Sequence, residues 1–282
     1  MGAMMNSSLA IAACLILAAC GQPASAPDAP RAPAPPSAPQ APGAPTPPPI
    51  SAGAVVPVGD DNPLGIPPAV YPPLPSRFSD PAALAPEGWR IEHGVAGDLN
   101  GDGAADAVIV LKQQNPANLV RHDGFGQDPM DTNPRLLIVA LARDGGYDLV
   151  ARNHTFIPRR LEPVLEDVLE SAPEIRNGTL SIPLHFFPTA GGWTMWNSVS
   201  RFRWRDGALR LIGHDYSEVS RNTGATLDRS VNFLTRRVST VRSTIDVDKD
   251  PPAVWTTLPA GPLLTIDQVG NGLEYSPVED DG

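Results

Sequence analysis

The sequence predicts a mainly β, β-rich α+β domain: an antiparallel meander sheet of hairpins with one short helix. Turn chemistry is the first observation. Asn177-Gly178, between Arg176 and Thr179, and Asp206-Gly207, between Arg205 and Ala208, are two-residue pairs of the kind that close antiparallel hairpins. Register is the second. Counting outward from these turns, Ile175 faces Leu180, Trp204 faces Leu209 and Phe202 faces Leu211, so apolar meets apolar on one face. The third is the scarcity of helical periodicity, which is confined to Arg160–Glu170. There Leu161, Val164, Leu165, Val168 and Leu169 fall at helical spacing, and Pro163 suits the first turn of a helix starting near Glu162.

Leu9 to Cys20 is an apolar run of about twelve residues, too short to span a bilayer and of signal-peptide length. From Gly21 to about Pro75 the composition collapses to Pro, Ala, Ser and Gly. Proline removes backbone donors and fixes φ, so an extended tether of about 3 Å per residue is expected. The stretch Val55–Ser79 is less repetitive, and its Val56, Val58, Leu64, Ile66, Val70, Tyr71 and Leu74 give it the means to pack partly on the domain. Four parts result: 1–19 signal peptide, 20–75 disordered tether, 76–270 β-rich domain, and 271–282 an acidic flexible tail. Within the domain, Arg143–Tyr147 is read as a somewhat longer hairpin turn between Leu136–Ala142 and Asp148–Ala151. Residues 113–134 read as a long loop, and Ser230–Val241 as one strand after the turn at 221–226.

A net charge of −10 excludes nucleic acid, because a polyanion needs a basic footprint. Of the two cysteines, Cys14 lies in the apolar run and would be removed with it. The domain then holds no disulfide, thiolate metal site or cysteine nucleophile.

Metal chemistry is suggested by Asp98-Leu99-Asn100-Gly101-Asp102-Gly103-Ala104-Ala105-Asp106. Oxygen-bearing side chains stand at the first, third, fifth and ninth positions, with glycine at the sixth. A hard cation needs six to eight oxygens from a tightly curled loop, and glycine permits the bend. Asp98, Asn100, Asp102 and Asp106 would supply side chains, Ala104 its carbonyl, and Ca2+ is the expected ion. The same residues could instead form Asx-turns with no metal. Position twelve is Ile109, where an EF-hand carries glutamate, and the run Asp106–Leu111 reads as a buried strand.

Leu17-Ala18-Ala19-Cys20 resembles the lipobox of bacterial lipoproteins, which implies that Cys20 is lipidated and becomes the mature terminus. With Gly21 after it, an outer-membrane anchor facing the periplasm or the surface is implied. The strand–DxNxDGxxD–strand arrangement, roughly Trp89 to Leu111, resembles the calcium loops of FG-GAP/VCBS-type proteins. Its single copy argues against a full propeller.

Other candidates are weaker. Arg201, Arg203, Arg205 and Arg210 share a hairpin face and form a possible interaction patch, although acidic neighbours such as Glu174 or Asp215 could neutralise it. Trp193 beside Gly191-Gly192 could stack on sugar or anchor a partner, whereas Trp196 shares parity with Phe202 and Trp204 and is expected in the core. The five histidines show no metal spacing, and there is no nucleophile elbow or phosphate loop. No catalytic residue is assigned. The leading expectation is a cell-envelope lipoprotein with a calcium-stabilised binding module for an envelope protein or glycan. A periplasmic or surface hydrolase acting on glycan or peptidoglycan stands beside it, as does an inhibitor or immunity partner of an envelope enzyme.

Overall fold

Two runs, Ala107–Leu111 within Asp106–Gln113 and Leu136–Ala142 within Arg135–Arg143, are apolar at every position. A strand with one wet face would alternate; these two need cover on both sides. The computed structural model describes residues 54–59, 61–169 and 171–278, all within the unit Gly43–Gly282. It provides that cover with two layers.

In chain order the strands are β1 (Ala54–Val56), β2 (Ala69–Tyr71), β3 (Arg77–Phe78), β4 (Trp89–Gly97), β5 (Asp106–Gln113), β6 (Leu119–Val120), β7 (Met130–Asp131), β8 (Arg135–Arg143) and β9 (Gly146–Asn153). Next come β10 (Glu174–Arg176), β11 (Thr179–Phe186), β12 (Thr194–Arg205), β13 (Ala208–Ser220), β14 (Ala225–Asn232), β15 (Arg237–Thr244) and β16 (Val254–Thr257). A five-stranded antiparallel sheet runs β3-β9-β8-β5-β4, with the two apolar strands at its centre. A seven-stranded meander runs β10 to β16 in sequence order, and β1–β2 and β6–β7 form small pairs. The mainly β, antiparallel reading of the sequence holds.

One core lies between the large sheets. Val108, Val110, Leu137, Val139 and Leu141 meet Leu180, Ile182, Leu184, Phe202, Leu209 and Leu211, and Phe156 packs edge-on to Phe202 at 5.4 Å between centroids. On the opposite face of the five-stranded sheet, Ile109, Leu111, Leu136 and Ile138 pack against Ala69, Tyr71 and Leu84. The folded region therefore begins by residue 54, which corrects the tether boundary at 75. The signal peptide (1–19), Cys20 and the tether as far as residue 53 lie outside the described residues.

The hairpin registers agree with the sequence reading: Ile175 pairs with Leu180, Trp204 with Leu209 and Phe202 with Leu211. Both turns place Asx and Gly at positive φ (Asn177 51°, Gly178 69°; Asp206 49°, Gly207 71°), a turn whose twist matches the strands it joins. The turn at 143–147 is tighter than expected. Arg143 pairs with Gly146, leaving Asp144 and Gly145 as a two-residue loop of the same kind.

Four other expectations need correction. Arg160–Glu170 is not a helix over the described residues to 169. Leu165, Val168 and Leu169 are buried as the pattern required, but the backbone bonds outward: Glu166 N–H donates to Phe187 C=O and His185 N–H to Val168 C=O. Pairing with the end of β11 replaced the internal ladder. The short helix is α1 (Ile266–Val269), closed by a Thr265/Gln268 capping box. Ser230–Val241 is two strands, because Asn232 Oδ1 accepts the N–H groups of Leu234 and Thr235, both at 3.0 Å, and turns the chain. The 113–134 loop carries β6 and β7. The expected flexible segment 271–282 is packed where described: Leu273 and Tyr275 lie against the core, and Gly272 N–H donates to Phe156 C=O at 3.0 Å.

Phe202 is fully buried between the sheets. Phe202→Ala should cost about 3–5 kcal/mol of stability, read from urea unfolding, because the cavity it leaves in a two-sheet core collapses only in part.

Candidate functional site

The loop between β4 and β5 is shaped by its own side chains. Asp98 Oδ1 accepts the Gly101 N–H at 2.6 Å and Oδ2 that of Gly103 at 3.0 Å. Asn100 Oδ1 accepts from Asp102 N–H at 2.9 Å, and Asp102 Oδ1 from Ala104 N–H at 2.8 Å. Gly101 and Gly103, at φ 83° and 84°, make the reversals that other residues resist. The Ala104 N–H first, then the Asn100 amide, hold the Asp102 carboxyl below the usual carboxylate range.

Asp106 behaves differently. It is fully buried, its Oδ2 accepts the Leu99 N–H and its Oδ1 the Ala142 N–H, both at 2.8 Å. It thus ties the loop to β8. Among the described residues, no three His, Cys, Asp or Glu side chains gather as a metal cluster. The oxygens of Asp98, Asn100 and Asp102 each keep a lone pair after accepting one N–H. These are oxygens of the hard type that Ca2+ takes as ligands, and Asp106 holds the frame.

The loop forms one wall of an open cavity of about 620 Å³, whose other wall is the Asn177-Gly178 turn with Arg203 and Arg205. The two walls approach closely because Gly97 has no side chain: a Cβ there would stand 2.6 Å from Ile175 Cγ2.

The arginine face forms as expected, with Arg203 opposite Arg210. Three of its members have partners. Arg201 pairs with Asp215 at 2.7 Å, Arg203 Nε donates to Thr179 Oγ1 at 3.1 Å, and Arg210 donates to the Leu263 carbonyl at 3.2 Å. Arg205 is exposed at the cavity. Trp193 is exposed but precedes β12, which Arg205 ends, so the two stand at opposite ends of a twelve-residue strand.

Carboxylates do converge beside the 113–134 loop, where the sequence alone shows no spacing. Glu92, Asp131 and Asp167 surround Lys112 and Arg135. Lys112 Nζ lies 3.0 Å from Asp131 and 3.5 Å from Asp167, and Arg135 Nη2 lies 2.9 Å from Glu92 and 2.6 Å from Asp167. Burial alone would raise the Asp167 carboxyl, but the Arg135 hydrogen bond and charge, with Lys112, bring it down to about 2. Asp167 is then ionised at neutral pH and unsuited to donating a proton. The group works as a paired, partly buried strut between sheet and loop.

The sequence reading missed one polar centre. Within the core face of the seven-stranded sheet, Ser200 Oγ meets His214 Nδ1 at 2.9 Å, and Tyr216 and Arg229 share that face. A bulge puts them there. Near the turn, paired residues follow Trp204–Leu209 and Phe202–Leu211, but beyond it Arg201 faces Gly213 and Ser200 faces His214. Without the extra residue, His214 would face Val199 on the outer surface. Gly213 was the available sequence signal.

Burial pushes the His214 imidazole down, with Arg201 and Arg229 adding to it and Asp215 opposing, to about 4. Comparisons with protein-family models, characterised proteins and solved structures found no match to the chain.

Between about pH 6.5 and 4 the unfolded chain protonates this histidine and the folded chain does not, so stability falls as pH falls through that window. The contribution is up to roughly 3 kcal/mol. His214→Gln should flatten this part of a stability-versus-pH curve, leaving a smaller slope from His154, which burial also lowers.

Proposed function

We propose that the chain is a cell-envelope lipoprotein, anchored through acylated Cys20 and a proline-rich tether, whose β-rich domain is a non-enzymatic interaction module stiffened by Ca2+. The observation that carries the reading is the 98–106 loop. Three oxygen-bearing side chains converge in one tight turn, with Asn100 Nδ2 to Asp102 Oδ2 at 2.9 Å, on a frame fastened by buried Asp106. Asp98, Asn100, Asp102 and the Ala104 carbonyl would hold the ion. Bound there, Ca2+ would offset two carboxylates and fix the loop as a rigid wall of the open cavity. An open site of this kind suits the millimolar calcium found outside cells, in the class of about 10⁻⁴ to 10⁻³ M.

Beside the loop, Arg203 and Arg205 supply positive charge and Asn177 an amide. A partner with acidic or hydroxyl-rich chemistry, an envelope protein or a glycan, suits that surface. Acyl chains on Cys20 and the length of the tether would hold the module away from the bilayer, where such partners lie.

The test is thermal unfolding of the full chain in calcium and in chelator, with Asp102→Ala alongside. At a hundred-fold excess over the dissociation constant, about 10 mM calcium at the tight end of that class, a ligand specific for the folded state adds about 2.7 kcal/mol. A calcium-dependent rise in Tm that disappears in Asp102→Ala supports the reading; equal melts in calcium and chelator refute the metal. Separately, Cys20→Ser should move the expressed chain from the membrane fraction to the soluble one, and a variant that still pellets with membranes would remove the anchor.

A further inference from the structure

Glu174 and Asp215 are the carboxylates placed to neutralise the arginine face, and the structure commits both elsewhere. Asp215 pairs with Arg201 at 2.7 Å, and Glu174 with Arg176 at 2.6 Å. Arg203 and Arg210 bond instead to neutral acceptors, the Thr179 hydroxyl and the Leu263 carbonyl, through one N–H each. Among the described residues no carboxylate pairs with Arg203, Arg205 or Arg210.

Register holds these three charges together. Arg203 lies directly opposite Arg210, about 5 Å away at the backbone. Arg205 follows Arg203 by two residues, on the same face and about 7 Å along the strand. Beyond Thr179, in the same rung, stands Arg176. Like charges directly opposite weaken a strand pair, so the arrangement works against the stability of its own hairpin. It does so in a chain whose net charge is −10, where carboxylates to relieve it are plentiful. A guanidinium carries five N–H donors in a planar fork, and most of those on the patch are left for water or a ligand.

The surroundings select the kind of anion. No large apolar side chain is exposed on the patch: Trp193 stands at the far end of β12, and Trp255 on β16, three strands beyond β13. A protein partner would therefore find no aromatic or aliphatic anchor. An anionic bilayer pressed onto the hairpin would meet Asp206 at the turn and Glu174 on β10, both exposed. A hydrated polymer with spaced charges can thread between them. The open cavity of about 620 Å³ beside Arg203 and Arg205 gives it room. On the far wall Asp98 turns its two oxygens onto the N–H groups of its own loop, and Asn177 adds an amide suited to hydroxyls.

From this we infer that the patch binds an acidic polysaccharide, a polymer of uronate sugars. Its carboxylates accept from Arg203, Arg205 and Arg210, and its sugar hydroxyls lie in the cavity by Asn177. Guanidinium and carboxylate match as paired forks, and such bonds are stronger than neutral ones. The inference rests on the reading of the domain as an interaction module and names its partner, but it makes no use of the calcium.

Tetragalacturonate is the probe, with its methyl ester as the uncharged control and tetraglutamate as a peptide of similar charge. Each is titrated into the full chain by calorimetry, at low salt and in chelator, where the calcium loop takes no part. Failure here and failure of the calcium melts are thus separate results. Tetragalacturonate should bind, more weakly as salt rises, and its ester should not. Combining Arg203→Gln with Arg210→Gln should weaken binding about tenfold or more. The Tm of that variant should hold or rise, because a like-charge pair is gone. Absence of tetragalacturonate binding, equal binding of the ester, or unchanged affinity in the double variant overturns the inference. Tetraglutamate binding as tightly also overturns it, since the partner would then be any acidic chain, as does capture of phosphatidylglycerol vesicles with no response to tetragalacturonate. Should the double variant not fold, Arg205→Gln, at an exposed position, carries the same comparison and should weaken binding several-fold.

Discussion

Everything in this fold turns on covering β5 and β8 on both faces. Alternate residues of these strands point to opposite sides, and both sets are apolar: Val108 and Val110 go one way, Ile109 and Leu111 the other. Burial of such side chains contributes about 1.5–3 kcal/mol each, so an uncovered face would be lost stability and an aggregation surface at once. The seven-stranded meander covers one face. The other is covered by β1, β2 and the chain around Leu84, which is why a stretch so rich in proline is nonetheless part of the fold. Asp106 belongs to the same constraint. It opens β5 as a buried carboxylate, and its two backbone partners bring the 98–106 loop into line with β8.

Charge is handled in three distinct ways. Lys112 and Arg135 extend from the ends of the central strands into a half-buried group of three carboxylates, where pairing offsets desolvation. Arg201 meets Asp215 on the outer face of the meander, close enough to water that the pair contributes little. His214 stays neutral, held so by burial. The first arrangement fixes the 113–134 and 158–169 segments against the sheet; the third keeps a neutral imidazole on the core face beside Tyr275. Buried polar groups thus lie where segments lacking regular structure must be joined to the sheets.

Much was legible along the chain. The hairpin registers followed from Asn177-Gly178 and Asp206-Gly207, because a two-residue turn dictates who faces whom for several residues on either side. Asp98, Asn100 and Asp102 were legible because the loop's hydrogen bonds are local, each spanning five residues or fewer. The 160–170 segment failed for the opposite reason. Its apolar spacing is satisfied equally by a helix or by an irregular strand, and the choice was made by Phe187 and His185, which the local pattern does not contain. Asn232 did carry a turn signal, and the valines on both sides of it masked it.

The order of residues was enough to specify the kind of structure: antiparallel strands, their registers near each turn, and an oxygen-rich loop with glycines where it must reverse. These are set by short-range sterics and by the period of two along a strand. Contacts across the layers were settled only when the sheets came together. One extra residue before His214 moved it from the outer surface to the core face, since every residue gained or lost in a strand exchanges the two faces. Packing of Leu273 and Tyr275 then roofed the space above it. Gly213 hinted at the first event locally, but the face that the bulge turns inward, and the roof above it, are fixed by the shape of surfaces brought together from distant parts of the chain.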